Sequence, residues 1–113
     1  MDVIQIVVLF ANEPLSYRQA LAAVVKAVRQ EIDTHIVSPE ELDEHLVAPG
    51  RSCLVICSQL TEAITTHALG WILLYPDGIP RVEINVAGNC TVNETFELDD
   101  LLTLIDLAIV QKK

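Results

Sequence analysis

Two nearly continuous runs of apolar residues stand out along the chain, at 3–10 and at 54–57. A short run of β-branched and other apolar residues, bounded by polar ones, is typical of a strand that is buried on both faces of a parallel sheet. The second run ends at Ser58 and predicts the central strand. Because open α/β sheets place ligands beyond the carboxyl ends of such strands, the residues after each run are candidates for a functional site.

Helical spacing of apolar residues alternates with these strands. Residues 16–32 predict a first crossover helix, with Arg18, Lys26 and Arg29 mainly on its outward side. Ser38-Pro39-Glu40-Glu41 combines an N-cap, a proline at the first helical position and a capping-box glutamate, and predicts a second helix that ends near 48–50. A short helix is also predicted at 61–68, and a longer final helix is predicted from Leu98 onward.

The remaining segments predict strands of two kinds. Residues 33–37 alternate and indicate an edge strand, and 71–75 indicate a further buried strand. The turn at 76–80 is too short for the crossover that parallel strands need, so the alternating segment 81–86 is expected to run antiparallel, with a second hairpin into 90–92. We predict one α/β domain spanning 1–113, a three-layer doubly wound sheet, mostly parallel, with antiparallel strands near its C-terminal part and a final helix.

The composition of the chain indicates which classes of binding partner to expect. Half of the 113 residues are hydrophobic (51%), which predicts a folded domain, and 16 acidic against 7 basic residues give a formal net charge of −9. Such a charge repels phosphate backbones and anionic lipid, so we expect neither nucleic acid nor membrane as a partner. The first apolar run is too short and wrongly flanked for a signal peptide or a membrane span. A cytoplasmic protein without a cofactor is the prediction.

Cysteine and histidine spacing predicts neither disulfides nor a metal site. Cys53 and Cys57 lie four residues apart on one strand, roughly 13 Å at about 3.3 Å per residue, which is too far for a disulfide. The three histidines have no short spacing to any cysteine. Buried structural thiols are therefore expected, although Cys57 beside Ser58 would be a reactive thiol if its pKa were lowered.

Three segments carry a family resemblance. The turn Ala11-Asn12-Glu13-Pro14 resembles the acidic Asp-Asp-Glu-Pro turn of response-regulator receiver domains, and 54–58 resembles the strand that ends in their phosphoacceptor aspartate. The segment 96–102 is similar to the opening of the last receiver helix. The resemblance covers roughly the first 62 and the last 18 residues, and it implies a flavodoxin-like fold and a role in signal transduction.

The departures from the receiver pattern concern its chemistry. At the matching positions Ala11 and Asn12 stand in place of the two magnesium-binding acids, and Ser58 stands in place of the phosphorylated aspartate. Receivers also place a lysine at the end of their last strand, whereas the lysines here are Lys26, Lys112 and Lys113. Because Mg²⁺ prefers carboxylate oxygens, the resemblance implies a degenerate receiver with no catalytic residues and no bound metal.

Three functions follow from this reading. The leading one is a regulatory domain that is not phosphorylated and acts through protein contacts, as a homodimer or on a signalling partner. The second is a small-ligand sensor, for an anion or nucleotide, or a minor enzyme, using the sheet edge. The third is a structural subunit whose strands at 82–92 pair with those of a second copy.

Two sets of candidate functional residues correspond to these alternative functions. Ile84 and Val86 are predicted to lie at the interface between copies. A vestigial pocket would be formed by Asn12, Glu13, Ser58 and Thr61, unless these residues only cap helices and satisfy turn backbone.

Overall fold

A computed structural model describes residues 5–12, 15–30, 32–38, 40–47, 51–86 and 88–112. Six strands and four helices alternate along most of this length. The strands are β1 (Gln5–Ala11), β2 (Asp33–Ile36), β3 (Arg51–Cys57), β4 (Gly70–Leu74), β5 (Val82–Val86) and β6 (Asn89–Asn93). The helices are α1 (Leu15–Val28), α2 (Leu42–Leu46), α3 (Glu62–His67) and α4 (Leu98–Lys112), with one 3₁₀ turn at Pro76–Gly78.

The strands form one mixed sheet in the order β2-β1-β3-β4-β5-β6. The first four strands are parallel, and β5 and β6 are antiparallel to their neighbours. The predicted α/β class, the antiparallel C-terminal strands and the final helix are confirmed. The change of direction follows β4, where the single turn at Pro76–Gly78 is too short to return the chain for a parallel strand.

Helices cover both faces of the sheet. On one face, alternate strand residues such as Phe10 and Ile56 pack with Val25 of α1 and Ile105 of α4. On the other face, residues of the opposite parity pack with Leu46 of α2 and with α3. Since the central strands β1 and β3 are covered on both sides, their sequences show no polar alternation.

Glycine is required where β4 approaches β5. A Cβ added to Gly70 would lie 2.7 Å from the backbone oxygen of Asn85, closer than real Cβ contacts. The absence of a side chain at this position therefore permits the pairing that begins the antiparallel half of the sheet.

The start of α2 differs from the prediction. Ser38 and Glu41 form the expected contacts, since the Ser38 hydroxyl accepts from the Glu41 backbone N–H at 3.3 Å and donates to the Glu41 carboxylate at 3.1 Å. They do so in a turn that precedes the helix, which begins only at Leu42. Pro39 and the predicted helix end at 48–50 lie outside the described residues.

Candidate functional site

The carboxyl ends of β1 and β3 bring two predicted site residues together. The parallel register pairs Ala11 with Cys57, so Asn12 and Ser58 follow side by side at this edge. Beyond these residues the chain continues to α1 on one face and to α3 on the other. This is the topological switch point of the sheet, where α/β folds form a crevice, and we call it the carboxyl edge.

Asn12 is a described residue of the carboxyl edge whose side chain lacks hydrogen-bond partners. It is fully buried, and neither its amide oxygen nor its amide nitrogen has a hydrogen-bond partner among the residues that the structure describes. An unpaired buried polar group costs about 1–3 kcal/mol, so the position requires an explanation. Its predicted neighbour Glu13 lies outside the described residues.

Arg18 is buried at the same edge, and its predicted outward position is wrong. Only 6% of the residue is exposed. Its Nε donates to the backbone oxygen of Asn12 at 3.0 Å, and its Nη1 donates to the backbone oxygen of Val37 at 2.8 Å. The guanidinium therefore links the ends of β1 and β2. The missed signal was its spacing, because Arg18 is three, four and seven residues before the buried Leu21, Ala22 and Val25.

Thr61 and Ser58 have structural partners. Thr61 is the N-cap of α3, and its hydroxyl oxygen accepts from the backbone N–H of Ile64 at 3.3 Å. This is the capping role that the sequence left open as the alternative to a pocket. Ser58 is half-buried and also has a polar partner. Among the described members of the predicted pocket, the side chain without a hydrogen-bond partner is that of Asn12.

The Cys57 thiol does not have the properties of a nucleophile. It is buried, and burial raises its pKa to about 12, although a hydrogen bond from the Gln59 backbone acts in the opposite direction. Since the thiolate is the reactive form, this cysteine is inert at neutral pH.

Metal ligands do not gather in the described ranges. His35 and His45 come close to each other, with ring centroids 6.0 Å apart, and His35 Nε2 lies 3.0 Å from a carboxylate oxygen of Asp33. Nevertheless, no group of three or more His, Cys, Asp or Glu side chains that could hold a metal ion is found among these residues.

A strained residue follows β4. Tyr75 has φ +46° and ψ +56°, a left-handed conformation that is uncommon for a residue with a side chain. Burial and the nearby Tyr75 raise the pKa of Tyr17, which lies in the first turn of α1. Backbone strain of this kind is concentrated at functional sites, and sequence patterns did not predict it.

A second candidate surface is the outer edge of β6, residues 89–93, which we call the β6 edge. β6 is the last strand of the sheet, and all five of its side chains are exposed, with Val92 at 59%. Edge strands usually carry charges, proline or a cover that prevents further pairing. Asn89-Cys90-Thr91-Val92-Asn93 contains neither a charge nor a proline.

The predicted interface residues lie one strand further in. Ile84 and Val86 on β5 are 7% and 1% exposed and belong to the core beneath α4. Their side chains are therefore buried within the single chain, and the exposed strand at this end of the described sheet is β6. Strict alternation of 81–86 predicted the strand correctly, but it could not distinguish an outer strand from the one beside it.

Comparisons of the chain with protein-family models, with curated proteins and with solved structures gave no match. The resemblance to receiver domains therefore remains a prediction from the sequence. Within the described part of the chain, no helix combines the length and apolar character needed to cross a membrane.

Proposed function

We propose that this chain is a receiver-like regulatory domain that is not phosphorylated and acts through protein–protein contacts. The observation that carries the proposal is the contrast between its two candidate surfaces. At the carboxyl edge the hydroxyl of Thr61 is used to cap a helix and the Cys57 thiol is buried and protonated, whereas the β6 edge is fully exposed.

The position of Ser58 supports the first part of this proposal. It follows β3 at the switch point, where a phosphoacceptor would have to stand. The neighbouring position after β1 is occupied by Asn12, a fully buried residue whose amide lacks the negative charge that Mg²⁺ prefers.

The test is exposure to a phosphoryl donor. Incubation with acetyl phosphate and Mg²⁺, or with beryllofluoride and Mg²⁺, is expected to leave the melting temperature and the intrinsic fluorescence of Trp71 unchanged. Mass spectrometry should detect no added phosphate. A saturable change that Ser58→Ala abolishes, and that Thr66→Ala on the exposed surface of α3 does not, would contradict the proposal.

The unpaired Asn12 favours a second candidate function, a small-ligand sensor. Asn12 follows β1 at the register position next to Ser58, and the left-handed Tyr75 follows β4 at the same edge of the sheet. A ligand with both donor and acceptor groups would satisfy the amide, and nucleotides and phosphorylated metabolites are the probes to screen. Ligand at a hundredfold excess over its Kd stabilises a protein by about 2.7 kcal/mol, a readily detected rise in melting temperature. A rise that is lost in Asn12→Leu would support the sensor over the protein-contact function.

A further inference from the structure

We propose that the β6 edge binds a second copy of this chain, with the two β6 strands paired antiparallel about a two-fold axis at Thr91. This inference rests on the proposed function, because it names the partner for the protein contacts. It replaces the predicted interface at Ile84 and Val86 with backbone pairing one strand further out.

The sequence of β6 is complementary to itself. In an antiparallel pair centred on Thr91, Asn89 lies opposite Asn93 of the second copy and Cys90 lies opposite its Val92, with the same pairs repeated across the axis. Every pair thus joins amide with amide, apolar with apolar, or hydroxyl with hydroxyl, and no like charges meet. An interface between identical surfaces requires this kind of self-complementarity.

Along β6, residues whose backbone groups bond to β5 alternate with residues whose backbone groups point outward. The hairpin register pairs Val86 with Asn89 across a two-residue turn, and Ile84 with Thr91 two residues further on. Pairs that exchange hydrogen bonds alternate with pairs that do not, and two-residue hairpins close on a bonded pair. Thr91 therefore bonds to β5, while Cys90 and Val92 direct their N–H and C=O groups outward.

These outward groups fit the proposed axis. With Thr91 on the axis as a non-bonded pair, Cys90 of each copy exchanges two hydrogen bonds with Val92 of the other, which gives four bonds in all. The same register brings the Cys90 and Val92 side chains of both copies together on one face of the joined sheet, the face that also carries Glu83 and Asn85. The opposite face carries the Asn and Thr side chains.

The size of the interface and the charge of each copy determine how association depends on protein concentration and on salt. Two strands of five residues form a small interface, of the size found in weak and transient contacts, so association is expected only at high protein concentration. Each copy carries a formal net charge of −9. Because salt screens this repulsion and backbone hydrogen bonds remain, the dimer fraction should rise with ionic strength.

Disulfide trapping tests the register. Directly opposed residues in a non-bonded pair have Cα atoms about 4.5 Å apart, within the range of a disulfide. Thr91→Cys in a Cys90→Ser background should therefore form a covalent dimer under mild oxidation. The matched control is Asn93→Cys in the same background, since its two copies would be separated by about four residues along the strands, roughly 14 Å. Cys53 and Cys57 are buried and do not interfere.

Light scattering at increasing protein concentration measures the association itself. The unmodified chain should become dimeric, Thr91→Lys should remain monomeric because two ammonium groups would meet at the axis, and Thr66→Lys on α3 should behave as the unmodified chain.

A chain that stays monomeric at all concentrations, or a dimer that survives Thr91→Lys and does not cross-link through residue 91, would overturn the self-pairing. The phosphoryl-donor test is independent of these outcomes, so a failure of the dimer can be distinguished from a failure of the proposed function.

Discussion

Replacement of Arg18 tests the most consequential contact that sequence patterns did not reveal. Its guanidinium donates to backbone oxygens of Asn12 and Val37 and is almost completely buried. Hydrogen bonds that involve a charged group contribute about 1.5–3 kcal/mol each to stability. Replacing Arg18 by an uncharged residue also removes the cost of burying the guanidinium charge, which offsets part of the loss of these hydrogen bonds. We therefore expect Arg18→Met to lower the free energy of unfolding by about 3 kcal/mol.

The matched control makes the same chemical change on the surface. Arg29 contacts Asp106 through two hydrogen bonds of 3.0 and 2.9 Å, but both side chains are partly exposed, so Arg29→Met should cost less than about 1 kcal/mol. Urea unfolding followed by circular dichroism measures both variants. The corresponding loss of melting temperature for Arg18→Met is about 12 °C for a domain near 100 residues. Equal losses for the two variants would refute the role assigned to Arg18.

Three further predictions concern single contacts. Gly70→Ala should destabilise the fold by about 1–3 kcal/mol in thermal unfolding, because its Cβ would meet the backbone oxygen of Asn85; an unchanged melting temperature would disprove this close approach. Thr61→Ala should cost about 1 kcal/mol through loss of the α3 cap, and Thr61→Ser should restore most of it. The hydrogen bond from Arg29 lowers the pKa of Asp106 in the folded state. The pair therefore stabilises the fold fully above the pKa of Asp106 in the unfolded chain, about 4. This stabilisation is lost as the pH falls through the lowered pKa of the folded state. The stability difference between the unmodified chain and Arg29→Met should therefore be about 0.5 kcal/mol at pH 7 and vanish in acid; a constant difference would contradict the linkage.

The sequence predicted the architecture because each element carries its own local signal. The buried β3 is continuously apolar, β5 alternates, and the short turn after β4 forces the antiparallel return. Each of these signals depends only on residues that are neighbours along the chain, so no knowledge of tertiary contacts is needed to interpret them.

The site was predictable only in part. The adjacent positions of Asn12 and Ser58 follow from the parallel pairing of the two strands that they follow. The capping role of Thr61 and the lack of a hydrogen-bond partner for Asn12 depend on the three-dimensional positions of neighbouring polar groups. Arg18 was misplaced because a charged residue on an apolar helical stripe is usually assigned to solvent. The two carbonyls that accept its hydrogen bonds follow different strands, so they are far apart in sequence. The strain at Tyr75 has no signature in residue pattern at all.

The central claim is that this domain acts through the β6 edge, and backbone amide exchange tests it most directly. The amides of Cys90 and Val92 point outward in a single chain and should exchange rapidly in dilute solution, whereas the Thr91 amide, bonded to β5, should be protected throughout. The account predicts that protection of Cys90 and Val92 rises with protein concentration while that of Thr91 stays constant. Rapid exchange at both outward amides across the whole concentration range would contradict it.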